Sequence, residues 1–144
     1  MHADDRGSAS LEFLTVGLIL LVPLVYLVLA IGAIQAGSLA VEGAARHAAR
    51  VAVRSAGEGR PQVEPVVLLA LADYGIGRAD TSVDVVCDPV AACGEPGTRM
   101  RVDVVARVRL PLVPEVLGLD RVSSVVLRGS ATQTVSRFAV GGGG

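Results

Sequence analysis

One uninterrupted stretch of uncharged residues near the N-terminus limits what this chain can fold into more than any other feature. From Phe13 to Val41 there are 29 residues without a formal charge, and the first 22 of them, to Ile34, are almost wholly apolar. An α-helix rises about 1.5 Å per residue, so about 20 apolar residues cross a hydrocarbon core of about 30 Å. The stretch therefore predicts a membrane-spanning helix, with a loosened turn around Pro23, which has no backbone N–H to donate.

A cleaved secretory signal peptide is the main alternative for this segment. Such a peptide has an apolar region of about 7 to 15 residues and a basic region before it. Here the apolar run is longer, and the preceding residues Asp4, Asp5 and Arg6 are net acidic. The small-residue site near Ala36 is a poor cleavage site, so release of a soluble domain at that point is the weaker alternative.

Helical character continues beyond the apolar run. The segment Gln35–Ala56 is rich in alanine and contains no proline. As one helix, residues 9–55 would measure about 70 Å, which is more than twice the thickness of the hydrocarbon core. The second half of this helix is therefore predicted to project into water.

The projecting half carries two stripes. The polar stripe is formed by Glu42, Arg46, Arg50 and Arg54. The apolar stripe is formed by Val41, Ala45, Ala48 and Ala52. The spacing places Glu42 where it can pair with Arg46, and the apolar stripe is predicted to receive a sheet. We interpret the polar stripe as a solvated face; the alternative is a row of arginines that binds anionic lipid or a partner.

The rest of the chain predicts a short helix and then a small sheet. Gly57–Pro61 should end the long helix, and Pro65 should begin a second one that runs over Val66–Tyr74. Strands are predicted over Ser82–Cys87, Met100–Leu110 and Val122–Val135. The second of these alternates apolar and polar residues, as a strand with one buried face does. Short connections favour an antiparallel sheet packed on the projecting helix, an α+β fold.

The two cysteines of the chain, Cys87 and Cys93, have five residues between them. A loop of this length can close in a disulfide if both side chains point inward, whereas two unpaired thiols are the alternative. Disulfides persist mainly in oxidising compartments. A bond here would favour a location outside the cytoplasm.

The apolar run is entered through residues 7–13, which read GSASLEF. Glu12 is the anomaly in this segment, because an ionisable residue at the edge of a membrane span costs free energy unless it stays at the interface or finds a partner. One interpretation is a first-turn acid at the headgroup level, stabilised by the helix dipole by roughly 0.3 to 1 kcal/mol.

The same residues resemble the processing signal of type IV pilins, in which a glycine is followed by a glutamate five residues later and an aromatic residue after it. The resemblance implies that a prepilin peptidase cuts between Gly7 and Ser8, so that the mature chain begins at Ser8. It also implies that Glu12, followed by Phe13, pairs with the N-terminal amine of a neighbouring subunit while the apolar helices bundle. Opposite charges in a bundle of low dielectric would stabilise each other's ionised forms.

Among pilin relatives, the chain most resembles the TadE-like minor pseudopilins of tight-adherence (Flp) pili. The resemblance covers Arg6 to about Arg54 and includes the alanine- and arginine-rich residues 44–50. It implies a pilin-like subunit that inserts into or primes a pilus or a related secretion filament. Its partners would be the prepilin peptidase, other pilin or pseudopilin subunits, an inner-membrane assembly platform and membrane lipid.

This resemblance gives the chain a domain organisation. Residues 1–7 would be a cleaved leader, 8–36 the transmembrane and assembly helix, 37–140 an extracytoplasmic domain and 141–144 a flexible glycine tail. The protein would cross the cytoplasmic membrane once, with its N-terminus in the cytoplasm. The arginines of the polar stripe favour the opposite orientation by the positive-inside rule, whereas the processing signal and the cysteines favour this one.

Other functions have little support in the sequence. The net charge is −1, with 13 basic and 14 acidic residues, so nucleic acid is not an expected partner. His2 and His47 are the only histidines, and the cysteine spacing is not that of zinc ligands. No phosphate-binding loop or nucleophile elbow occurs. We therefore expect no cofactor and no enzyme activity, and the alternative function is that of an uncleaved, membrane-anchored binding or accessory protein.

Overall fold

The computed structural model describes residues 6–56, 62–111 and 123–138. Over these residues the chain forms two helices and three strands: α1 (Arg6–Arg54), α2 (Glu64–Ala72), β1 (Thr81–Asp88), β2 (Arg99–Arg109) and β3 (Ser124–Thr134). The strands make one antiparallel sheet in the order β1-β2-β3, which packs on the C-terminal half of α1. This is the predicted α+β fold.

Helix α1 is a continuous rod of 49 residues, about 74 Å long at the usual rise per residue. It begins at Arg6, three residues earlier than predicted, and it contains Pro23 without ending there. The helix ends at Arg54, just before the predicted stop at Gly57–Pro61, which lies outside the described residues. The last turn is extended by Ser55, whose backbone N–H donates to the Val51 carbonyl at 3.0 Å.

The hydrophobic core lies between the alanine face of α1 and the inner face of the sheet. The predicted apolar stripe of the helix is fully buried, and Ala40, Ala44 and Ala49 widen it. On β2 the alternation is confirmed from Met100 to Val108, with every second residue buried. Because alanine side chains are short, the sheet can approach the helix closely and bury its valines without aromatic residues.

Strand β3 crosses α1 at a glycine. A Cβ atom on Gly129 would lie 2.8 Å from the carbonyl oxygen of Val41 and 3.0 Å from the amide nitrogen of Glu42. Both neighbours are backbone atoms of a helix, which cannot move aside independently. The contact therefore requires glycine at this position of the strand.

A second close approach lies one turn earlier on the helix. A Cβ atom on Gly37 would lie 2.8 Å from Cγ2 of Val108 and 2.9 Å from Cδ1 of Leu127. The distance along β3 from Leu127 to Gly129 is about 7 Å, and the distance along α1 from Gly37 to Val41 is about 6 Å. The contacts thus advance in the same direction along β3 and α1, and the end of the sheet that holds Val108 points toward the apolar half of the helix.

Helix α2 is shifted from its predicted position by two residues at each end. It spans Glu64–Ala72, with Pro65 in its first turn as expected. Although its sequence is apolar nearly all round, only Val67 and Leu71 are fully buried, whereas Leu69 is 76% exposed. The helix therefore covers α1 and β1 with one side only.

Candidate assembly surface on the long helix

The N-terminal half of α1 presents apolar side chains on every side. Most of its large hydrophobic residues are between 45% and 78% exposed: Leu11, Phe13, Leu14, Val16, Leu18, Ile19, Leu20, Leu21, Val22, Leu24, Val25, Leu27, Val28, Leu29 and Ile31. Length and composition make this part of the helix a candidate membrane span. A core helix of a soluble domain would be covered by the rest of the chain, and this one is not. The surface is therefore available to lipid or to other helices.

The residues that resemble a processing signal all lie at the start of this helix. Gly7 and Ser8 are in the first turn of α1, where backbone N–H groups have no partner within the helix. Glu12 and Phe13 follow about one turn later, and both are exposed, Phe13 by 78%. No hydrogen bond or ion pair joins Glu12 to another residue in the described part of the chain. Any partner of this carboxylate must come from outside this chain or from its undescribed residues.

The polar stripe of α1 faces away from the core. Glu42 accepts a hydrogen bond from Arg46 at 2.6 Å, the predicted pair one turn apart. Both side chains are about half exposed or more, so the pair contributes at most a few tenths of a kcal/mol. Arg50 and Arg54 are exposed. The stripe therefore has the exposure of a solvated face, which leaves its alternative use as a lipid or partner contact open.

Cys87 and Cys93 form the predicted disulfide, with a Cα–Cα distance of 5.3 Å. The bond links the end of β1 to a short 3₁₀ turn, Val90–Ala92, and Cys87 is buried in the core. Thr98, the one buried polar residue in the described part of the chain, donates from its hydroxyl to the Ala92 carbonyl at 2.7 Å. The loop is thus held by a covalent bond and by a buried hydrogen bond.

This loop also lies against the end of α1. Gly94 has a φ of +91°, and a Cβ atom there would lie 2.5 Å from the carbonyl oxygen of Ala56. Because Gly94 is at the opposite end of the sheet from Val108, the disulfide belongs to the end of the domain that is farthest from the apolar half of α1. It therefore braces the distal end of the domain.

Replacing both Cys87 and Cys93 by serine is expected to lower the free energy of unfolding by about 2 kcal/mol, because the bond closes a loop of only about seven residues. Thermal unfolding of the full chain in detergent micelles measures the loss. Adding a reductant should lower the melting temperature of the unchanged protein and leave that of the double variant unaltered. Equal sensitivity of both proteins to the reductant would contradict a disulfide.

The described residues offer no obvious centre for chemistry. Among them, no group of three histidine, cysteine or acidic side chains could hold a metal ion. A surface hollow of about 510 Å³ lies between the start of α2 and β1 and is lined by both apolar and charged residues, including Glu64, Arg78 and Val83. Arg78 and Glu64 pair there at 3.1 Å. The hollow gathers no nucleophile with a base beside it.

Two features of this surface escaped the sequence analysis. One is the pair of glycine contacts that seat the sheet on α1, at Gly37 and Gly129. A glycine inside a strand pattern is a known signal of close backbone approach, so Gly129 could have been noticed. The other is the arrangement of arginines on the outer face of the sheet, which only the strand register reveals.

Comparison with known proteins adds no relative. No family model, curated protein or solved structure matches the chain.

Proposed function

We propose that this protein is a minor pseudopilin of the TadE-like kind, matured by a prepilin peptidase and built into, or priming, a pilus or a related secretion filament. The observation that supports the proposal most is the structural difference between the two halves of α1. One half of a single unbroken helix is apolar on all sides and uncovered, while the other half is built into the core of a small domain. A subunit of this shape can leave a bilayer for a helical bundle without refolding.

The apolar half of α1 would serve as the assembly surface. In the membrane, lipid covers its side chains; in a filament, helices of neighbouring subunits would take the place of lipid. Lipid tails are as apolar as leucine, so the exchange needs a specific interaction to favour it. Glu12 supplies one, because a carboxylate at the margin of the span gains from a cationic partner on another subunit.

The domain would lie outside the cytoplasm. The disulfide between Cys87 and Cys93 favours an oxidising compartment. The arginines of the polar stripe favour the cytoplasm, because the positive-inside rule counts arginines within about 20 residues of a span. The last, Arg54, is 20 helical residues from Ile34, about 30 Å from the end of the apolar run. At that distance its interaction with the membrane surface is screened by salt.

N-terminal processing tests the proposal. Protein extracted from cells that possess a prepilin peptidase is expected to lack residues 1–7 and to begin at Ser8, as measured by intact mass and N-terminal peptide mapping. Gly7→Leu should keep the full-length mass and prevent incorporation into filaments. Gly43→Ala is the matched control, because a Cβ atom at Gly43 meets no other atom within 4 Å and the position lies outside both the processing signal and the apolar half of α1.

The outcomes separate the proposal from its alternatives. An intact N-terminus on the unchanged protein would overturn it and favour an uncleaved anchored binding protein, for which Gly7→Leu is silent. A soluble product that begins near Ala36 in the culture medium would also overturn it. That cut would remove the exposed apolar half of α1 and leave the helix segment that contacts the sheet.

A further inference from the structure

The end of the sheet that lies nearest the membrane carries a cluster of arginines. If α1 spans a bilayer from Phe13, about 20 residues of helix take it through the hydrocarbon core to about Gly32. Gly37 lies five residues farther, about 8 Å above that level, and it contacts Val108 of β2. Headgroup layers are roughly 5 to 8 Å thick on each side of the core. The end of β2 therefore lies at the level of the lipid headgroups.

The strand register divides the outer face of the sheet by charge. The half near the membrane carries Arg107, Arg109 and Arg128 with Asp80 beside them. The distal half carries Arg99 and Arg101 with Asp84, Asp88 and Asp103. Among the described residues of this face, three arginines against one aspartate make the near half basic, whereas three aspartates against two arginines make the far half acidic. The positive end of the face thus points toward the bilayer.

Arg107 and Arg128 are diagonal neighbours on this face, and Asp103, the other diagonal neighbour of Arg128, pairs with Arg101 at 2.9 Å. Arg107 pairs in register with Val126, and Arg128 pairs with Val105, so the two residues occupy neighbouring positions on adjacent strands. Both are exposed, and neither forms an ion pair with a described residue. Asp80 instead accepts from Arg109 at 3.3 Å. Arg107 and Val126 also border a shallow hollow of about 200 Å³.

We propose that this basic end of the outer sheet face, centred on Arg107 and Arg128, docks on anionic phospholipid headgroups of the bilayer that α1 spans. Guanidinium groups bind phosphate in a bidentate fashion, and their long side chains can reach down from the end of the sheet. The contact would hold the domain against the membrane before assembly and would be released when the subunit leaves the bilayer. The inference depends on the membrane-spanning part of the proposed function but not on processing or on orientation.

A single tryptophan can report the docking, because the chain contains none. Val126→Trp places the reporter on the outer face beside Arg107, at a position that is 49% exposed. The full chain is reconstituted in nanodiscs of phosphatidylcholine alone, or of equal parts phosphatidylcholine and phosphatidylglycerol, each with a headgroup spin-labelled lipid. Quenching of the tryptophan should be strong in the anionic discs and weak in the neutral ones.

Two double variants of the reporter protein test the arginines. Arg107→Gln with Arg128→Gln should lower the docked-to-undocked ratio about fivefold for each charge removed, or roughly 25-fold together. Arg99→Gln with Arg137→Gln removes two exposed arginines at the distal end of the domain and should leave the quenching unchanged. Raising the salt from about 0.1 to about 1 M shortens the Debye length from about 10 to about 3 Å and should reproduce the loss. Thermal unfolding of each variant verifies that the domain is folded.

Three results would overturn the proposal: equal quenching in neutral and anionic discs, quenching that survives the loss of Arg107 and Arg128, or an equal effect of the control pair. None of them bears on whether the N-terminus is processed. Conversely, an unprocessed protein that docks through these arginines would refute the pseudopilin function while leaving the lipid contact standing.

Discussion

Replacing Gly129 by alanine is expected to detach the sheet from α1 and to destabilise the whole domain. The new Cβ atom would lie 2.8 Å from the carbonyl oxygen of Val41 and 2.9 Å from its carbonyl carbon. No real Cβ atom sits so close to backbone, and neither strand nor helix can shift without disturbing the contact at Gly37. The alanine face of α1 and the inner face of β2 would therefore be forced apart.

Gly129→Ala is expected to lower the free energy of unfolding by about 1 to 3 kcal/mol, the usual range for overpacking a core. The upper end of this range is expected, because the clash involves backbone and not a flexible side chain. Each kcal/mol corresponds to a melting temperature lower by roughly 4 to 8 °C in a domain of this size. Thermal unfolding of the full chain in detergent micelles measures the loss of stability. Hydrogen exchange of the β3 amides locates it.

Gly43→Ala is the matched control, since Gly43 lies on the exposed side of the same stretch of α1 and a Cβ atom there meets nothing within 4 Å. Alanine is the better helix former, so this change is expected to stabilise the helix by up to about 1 kcal/mol. The two glycines thus predict effects of opposite sign. If Gly129→Ala were as harmless as Gly43→Ala, β3 could not cross the helix where the structure places it.

Helix α1 and strand β2 could be predicted from the sequence because each obeys a simple local rule. A long uncharged run followed by alanine at helical spacing predicts one helix over residues 9–55. Strict alternation from Met100 to Val108 does the same for β2. The periodicity identified the buried face of both elements, although Ala40, Ala44 and Ala49 of α1 are buried as well.

The seating of the sheet on the helix could not be predicted in this way. It depends on which residue of β3 lies opposite Val41, and that is set by the register between β2 and β3 together with the absence of a side chain at Gly129. Local sequence carries no information about register between distant segments. For the same reason the charge division on the outer face of the sheet became visible only when Arg107 and Arg128 were placed beside each other.

The candidate site also has one part that the sequence predicts and one part that it does not. Glu12 and Phe13 lie near the start of the helix, as the sequence predicts, whereas Gly7 and Ser8, which were predicted to precede the helix, lie in its first turn. The proposed partner of Glu12 is a second subunit, so it lies beyond what the conformation of one chain can display. An experiment on assembly tests this pairing.

Glu12→Gln is expected to abolish incorporation into filaments while leaving processing at Gly7 intact. The substitution keeps the size and hydrogen-bonding capacity of the side chain but removes its charge. Breaking a buried ion pair from one side costs about 3 to 5 kcal/mol, which corresponds to a loss of roughly a hundredfold or more in the assembled fraction. Sheared filaments are separated from membranes, and the mature subunit is quantified in both fractions.

Glu42→Gln provides the comparison, because Glu42 lies on the same helix, is exposed and pairs with Arg46 within its own subunit. A surface pair of this kind contributes less than about 1 kcal/mol, so assembly should be unaffected. If α1 were a simple anchor, both substitutions would have the same small effect on assembly. A carboxylate at the headgroup level needs no partner and is stabilised only by the helix dipole. The ratio of the two effects therefore decides between an assembly helix and an anchor, independently of how the N-terminus is processed.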